Sequence, residues 1–157
     1  IVLVCRLFFF FFSVAFFIYF GYNTFFFLLK SGAERYTVLQ WLQFQMGGVG
    51  PMFGQVGFFH KFAGKDFEDK RPRDRYVTES KRVLATLDAR LSQSPWLGGE
   101  NYSIADIAVF PWVRNLVGFY GAGELVGFEE YTHVKRALDT FLERPAVQRG
   151  LLIPKRG

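Results

Sequence analysis

The run from Ser103 to Pro111 limits the fold more than any other part of the chain. Ser103 can act as a helix N-cap, and Asp106, three residues on, can reach back to the free N–H groups of the first turn. Tyr102 and Ile107 stand at the spacing of a hydrophobic staple, so the start of one helix is specified twice. Beyond it, Ile104, Ala105, Ile107, Ala108, Val109 and Phe110 are apolar on almost every side. Such a helix has no solvent face and must be surrounded by other elements. Pro111 should then bend it.

A chain of 157 residues, half of them hydrophobic, can supply one sizeable core. The apolar residues are unevenly placed. Residues 1–30 hold 11 of the 21 phenylalanines and no acid, with only Arg6 and Lys30 charged. From Leu7 to Leu29 no residue is charged, and as a helix that stretch would reach about 34 Å, enough to cross a bilayer. Against a regular span, Gly21, Tyr22, Asn23 and Thr24 interrupt it and its phenylalanines are middling helix formers. No small-residue cleavage site follows, which argues against a cleaved signal peptide. Residues 1–30 therefore read as an aberrant N-terminus, as a membrane helix over 7–29 or as a strand-like remnant, in a chain that opens on Ile and so is a fragment or a processed product. If the segment spans, Lys30 and Arg35 place its C-terminal side in the cytoplasm.

Residues 31–157 form the second unit. They carry 17 basic and 14 acidic residues, a mild excess that makes no nucleic-acid footprint. Basic residues gather between Lys61 and Arg75, but Asp66, Glu68, Asp69 and Asp74 lie among them, as in a solvated polar connection. Cys5 is the only cysteine. That excludes a disulfide framework, a Cys-x-x-Cys redox pair and a cysteine-rich metal site, and fits a reducing compartment.

Helical spacing recurs along this unit. Ser31, Gly32, Ala33 and Glu34 have the form of a second capping box, and Val38, Leu39, Trp41, Leu42 and Met46 follow until Gly47 and Gly48 should stop the helix. The segment Val49 to Gly57 lacks the Lys-Ser/Thr of a phosphate loop and reads as a helix end and bend. Val77, Val83, Leu84, Leu87 and Leu91 predict an amphipathic helix over 74–91. Gly118, Gly121, Gly123 and Gly127 break the chain after the core helix, then Val134, Leu138, Phe141 and Leu142 mark a helix ended by Pro145, which can begin a short last turn. No alternating strand pattern occurs, so the fold class is all-α, a helical bundle.

The order of a Gly-Pro segment after the first helix, Trp96-Leu97-Gly98-Gly99 before a capped Ser103-Ile104-Ala105-Asp106 helix, and Glu143-Arg144-Pro145-Ala146-Val147 near the end resembles the C-terminal domain of glutathione S-transferases. Gln45 to Gln55 and Arg75-Tyr76 make it most similar to the nu-class and Ure2-like members, which have glutathione transferase and disulfide-bond oxidoreductase activity. The resemblance covers about residues 31–157. It implies a parent that conjugates glutathione, its co-substrate, to a small electrophile, or reduces disulfides with it, as a cytoplasmic homodimer. In that family an N-terminal thioredoxin-like domain supplies most of the glutathione site, including the Thr or Asn that steadies the thiolate. Residues 1–30 have no such pattern, so the chain is expected to be incompetent alone. The alternative is a non-enzymatic helical interaction module of the same type.

No residue is assigned to catalysis and none to a metal. The resemblance implies that Arg75 reaches a carboxylate of glutathione, a contact suited to a forked cation, and that Gln45 is a second contact. Phe53, Phe58, Phe59 and Trp112 could line a pocket for the electrophile or simply fill the core. Asp106 is read as a cap. His60 and His133 make no dyad, and Cys5 among apolar neighbours is inert.

Overall fold

The structure is a computed structural model that describes residues 32–153. Residues 1–30, with the expected membrane helix over 7–29, Cys5 and the Ser31 cap, fall outside that range. Among the described residues no helix is long and apolar enough to cross a membrane. The fold is all-α there, as the periodicities imply.

The chain enters at Gly32 and forms α1 (Ala33–Phe44), a π-helical run (Gln45–Val49) and α2 (Gly50–His60) as one unbroken helical path. This corrects the expected stop at Gly47 and Gly48 and the bend after it. Pro51 offers no N–H, and its ring would collide with the carbonyl four residues back in a regular α-helix. Widening the preceding turn removes that conflict: the Gly50 N–H donates to the Gln45 carbonyl five residues away. Glycines at 47 and 48 mark a widened turn here instead of an end.

A short 3-10 turn (Ala63–Asp66) leads to α3 (Arg71–Leu91). It starts three residues earlier than the apolar stripe predicts because Pro72, in the first turn, is preset for a helix start. The stripe itself is buried as expected: Val77, Val83, Leu84, Leu87 and Leu91 all enter the core.

α4 (Ile104–Arg114) passes through Pro111 into a second π-helical run (Asn115–Phe119). Its start is as written in the sequence. Asp106 is fully buried and its carboxylate accepts from the Leu97 N–H (2.9 Å), the Ser103 N–H (2.8 Å) and the Ser103 hydroxyl (2.8 Å). The reach to Leu97 ties the Trp96–Gly99 turn to the helix, a link the capping pattern alone did not show. Ile104, Ala105, Val109 and Phe110 are buried, whereas Ile107 and Ala108 are only half covered.

Gly121 and Gly127 take left-handed backbone (φ 67° and 66°) around the short α5 (Gly123–Val126). A 3-10 turn (Phe128–Glu130), α6 (Thr132–Glu143) and α7 (Pro145–Gly150) complete the bundle. The start of α6 has no cap of its own. Asp88, from α3, accepts from the His133 and Val134 N–H groups at 2.8 and 3.0 Å. In return Arg136 of α6 donates to the Leu91 carbonyl at the end of α3 (2.7 Å). Asp88→Ala leaves two first-turn donors without that acceptor and is expected to cost about 1–2 kcal/mol. Urea unfolding checks this, and a midpoint unchanged from the parent would refute it.

Candidate functional site

Helices α2 and α3 pair antiparallel, with the rings of Phe59 and Tyr76 stacked at 5.6 Å. Arg75 therefore stands at the turn end of this hairpin, near the C-terminus of α2. Its side chain is 73% exposed, and its ion pair with Glu79 spans 4.0 Å. An Arg held that loosely is free to turn toward an incoming anion.

Gln45 occupies a different level. It lies about four turns before Phe59 on the same helical path, which puts it about 20 Å along the hairpin from Arg75. It is 7% exposed, at the head of the first π-run, and its Nε2 would lie 3.0 Å from a Cβ at Gly50. The structure does not bring the two sequence-selected residues together.

The four aromatic candidates divide in the same way. Phe53 is fully buried core. Trp112 is half buried and packs over Gly50 and Gly54, 3.5 and 3.7 Å from ideal Cβ positions there. Phe58 and Phe59 belong to the turn end of the hairpin, edge to face with each other at 4.9 Å.

Two residues that the sequence reading passed over complete that end. The second π-run delivers Phe119 and Tyr120 against α2, and Tyr120 lies flat on Gly57, where a Cβ would come within 2.7 Å of the ring. Burial pushes the Tyr120 phenol upward. Lys61 sits 4.0 Å above the Phe119 ring and donates to the Phe119 carbonyl, which pins the end of the π-run to the end of α2. The legible signal was the spacing of Gly50, Gly54 and Gly57, three small positions along one side of α2 that admit large rings from a neighbour.

Elsewhere the polar groups are structural. Burial pushes the Asp106 carboxyl up, opposed by its hydrogen bonds from Leu97 and Ser103, and no open face adjoins it. Burial raises the Tyr102 phenol to about 12, beneath the Arg144 guanidinium stacked 3.7 Å from its ring centre. Among the described residues no group of three or more His, Cys, Asp and Glu could hold a metal ion.

Residues 49–145 match the family described as glutathione S-transferase, C-terminal domain. The chain belongs to the glutathione S-transferase family. It is 39% identical over 140 residues to the disulfide-bond oxidoreductase YfcG of Escherichia coli, covering 89% of this chain and 62% of that one. A glutathione transferase from Pseudomonas putida, solved with glutathione disulfide bound, is 66% identical with a TM-score of 0.79, covering 82% and 55%. One from Burkholderia graminis, with two glutathione molecules bound per subunit, is 61% identical with a TM-score of 0.84, covering 91% and 60%. The chain thus spans less than two thirds of these transferases and corresponds to their helical domain.

Proposed function

We propose that this chain is the helical portion of a glutathione-dependent enzyme that conjugates glutathione or reduces disulfides with it, and that Arg75 holds one glutathione carboxylate. The observation that carries the assignment is the exposed, loosely paired guanidinium at the turn end of the α2–α3 hairpin. It is supported by the kinship with a disulfide-bond oxidoreductase and with transferases crystallised with glutathione or its disulfide. A fork of N–H donors can take a carboxylate through two parallel bonds, which a lysine cannot do.

Gln45 is the second proposed contact, with donor and acceptor both suited to a peptide group. A tripeptide spans about 10 Å. At about 20 Å from Arg75, the Gln45 amide would therefore meet a different glutathione molecule from the one on Arg75. The two glutathiones per subunit of the Burkholderia relative make that arrangement reasonable.

We assign the thiol chemistry to a thioredoxin-like domain of the kind the resemblance implies. The test is binding, not turnover. Ligand-observed NMR with glutathione, sensitive to millimolar affinity, should show Arg75→Ala raising Kd about tenfold, with Arg75→Lys restoring little of it. Equal line broadening of glutathione by the parent chain and by Arg75→Ala would remove Arg75 from the site.

A further inference from the structure

The widened turn at Gln45–Val49 does more than clear Pro51. In a regular helix the residues stacked on Gln45 would be the third and fourth after it. In the π-run the fifth takes that place: Gly50 donates its N–H to the Gln45 carbonyl, and the end of the Gln45 side chain lies against it. Gly50 has ordinary right-handed helical backbone (φ −57°, ψ −56°), so its conformation does not call for glycine. Glycine inside a helix is also less favourable than alanine. What residue 50 needs is room. A Cβ there would lean back toward the helix N-terminus and come within 3.0 Å of Gln45 Nε2, while the Gln45 carbonyl and the Trp112 ring, at 3.4 and 3.5 Å, would be ordinary contacts. Gly54, one turn on, differs: a Cβ there would meet only Trp112, at 3.7 Å.

Gln45 is buried, and among the described residues its side-chain amide has no hydrogen-bond partner. Such an amide is completed by a group from outside the chain, water or ligand. The tight neighbour of residue 50 is therefore the one polar group of this turn that has bonds to offer.

We propose that Gly50 is a positioning residue for ligand binding: having no Cβ, it lets the Gln45 amide lie against the π-turn beside Trp112, in place to pair with a peptide group of glutathione. The proposal rests on the Gln45 contact put forward above. Alanine at 50 would displace only the flexible end of Gln45, so the fold would keep its stability while the site lost its donor and acceptor.

The full chain has three tryptophans, and the indole N–H signal of Trp112 is identified in an isotope-labelled sample by its loss in Trp112→Phe. Followed during titration with reduced glutathione, that signal reads binding beside Gln45. Gln45→Ala should raise the Kd read there about fivefold, the effect of one lost hydrogen bond. Gly50→Ala should raise it as much, with a melting temperature at or above that of the parent. Gly54→Ala should leave the Kd unchanged, and Gln45→Ala with Gly50→Ala should bind no more weakly than Gln45→Ala alone. Parent affinity in Gly50→Ala, an additive loss in the double variant or an equal loss in Gly54→Ala would each overturn the proposal. So would a fall in melting temperature in Gly50→Ala that Gln45→Ala does not relieve, which would make Gly50 a packing residue. A Trp112 signal unmoved by glutathione, or parent affinity in Gln45→Ala, would instead remove the Gln45 contact itself, and the role of Gly50 with it.

Discussion

Asp106→Ala is expected to lower the melting temperature by about 6–20 °C. The substitution removes the acceptor of two backbone N–H groups, Leu97 and Ser103, and of the Ser103 hydroxyl, in a place that water does not reach. A buried donor left without a partner costs about 1–3 kcal/mol, and losing the cap of α4 adds to that, for a total of about 3–5 kcal/mol. Native stability is itself only about 5–15 kcal/mol, so a large part of it goes. At this chain length each kcal/mol shifts the melting point by about 2–4 °C. Asp106→Asn keeps one acceptor oxygen and should fall between the two. Thermal unfolding followed by circular dichroism reads the effect, and a midpoint within about 2 °C of the parent would mean that the buried carboxylate is dispensable.

Phe110→Ala is expected to cost about 3–5 kcal/mol, the range for emptying a buried aromatic site. Phe110 is fully buried, and its ring meets Trp96 at 6.1 Å and Phe141 at 5.4 Å. Those partners come from the turn before α4 and from α6, so one cavity would loosen three segments. Phe110→Leu refills most of the volume and should recover more than half of the loss. Denaturant titration gives the energies. If Phe110→Ala is as stable as Phe110→Leu, the neighbours have closed over the hole and the site is plastic.

What could be read from the sequence was what neighbours in the chain decide. The Ser103 and Asp106 cap and the α3 stripe from Val77 to Leu91 depend on spacings of three to seven residues, and both stand as written. Gly47 and Gly48 were misleading because glycine usually marks a helix end, while the deciding residue, Pro51, lies ahead and forces a wider turn. The Asp88 cap on α6 was illegible for a different reason. Its acceptor and donors are separated by 45 and 46 positions, and only the packing of α3 on α6 brings them together. The candidate site repeats the contrast. Arg75 stood out only through family resemblance, since an exposed Arg on a helix has no local mark of its own. The aromatic end joins Phe62, just past α2, to Tyr120 at the end of the second π-run, which no window of sequence contains.

The exchange between α3 and α6 also makes the two helix ends depend on each other. The first turn of α6 has no cap from its own segment, so a nascent or isolated α6 of twelve residues is too short to hold itself helical in water. Its first-turn donors are met by Asp88, which precedes it in the chain by more than forty residues. Arg136 then closes the end of that same helix through Leu91. The last long helix of the bundle is thus capped by an earlier one, and a chain cut before residue 132 would leave the Leu91 carbonyl at the end of α3 without its Arg136 donor.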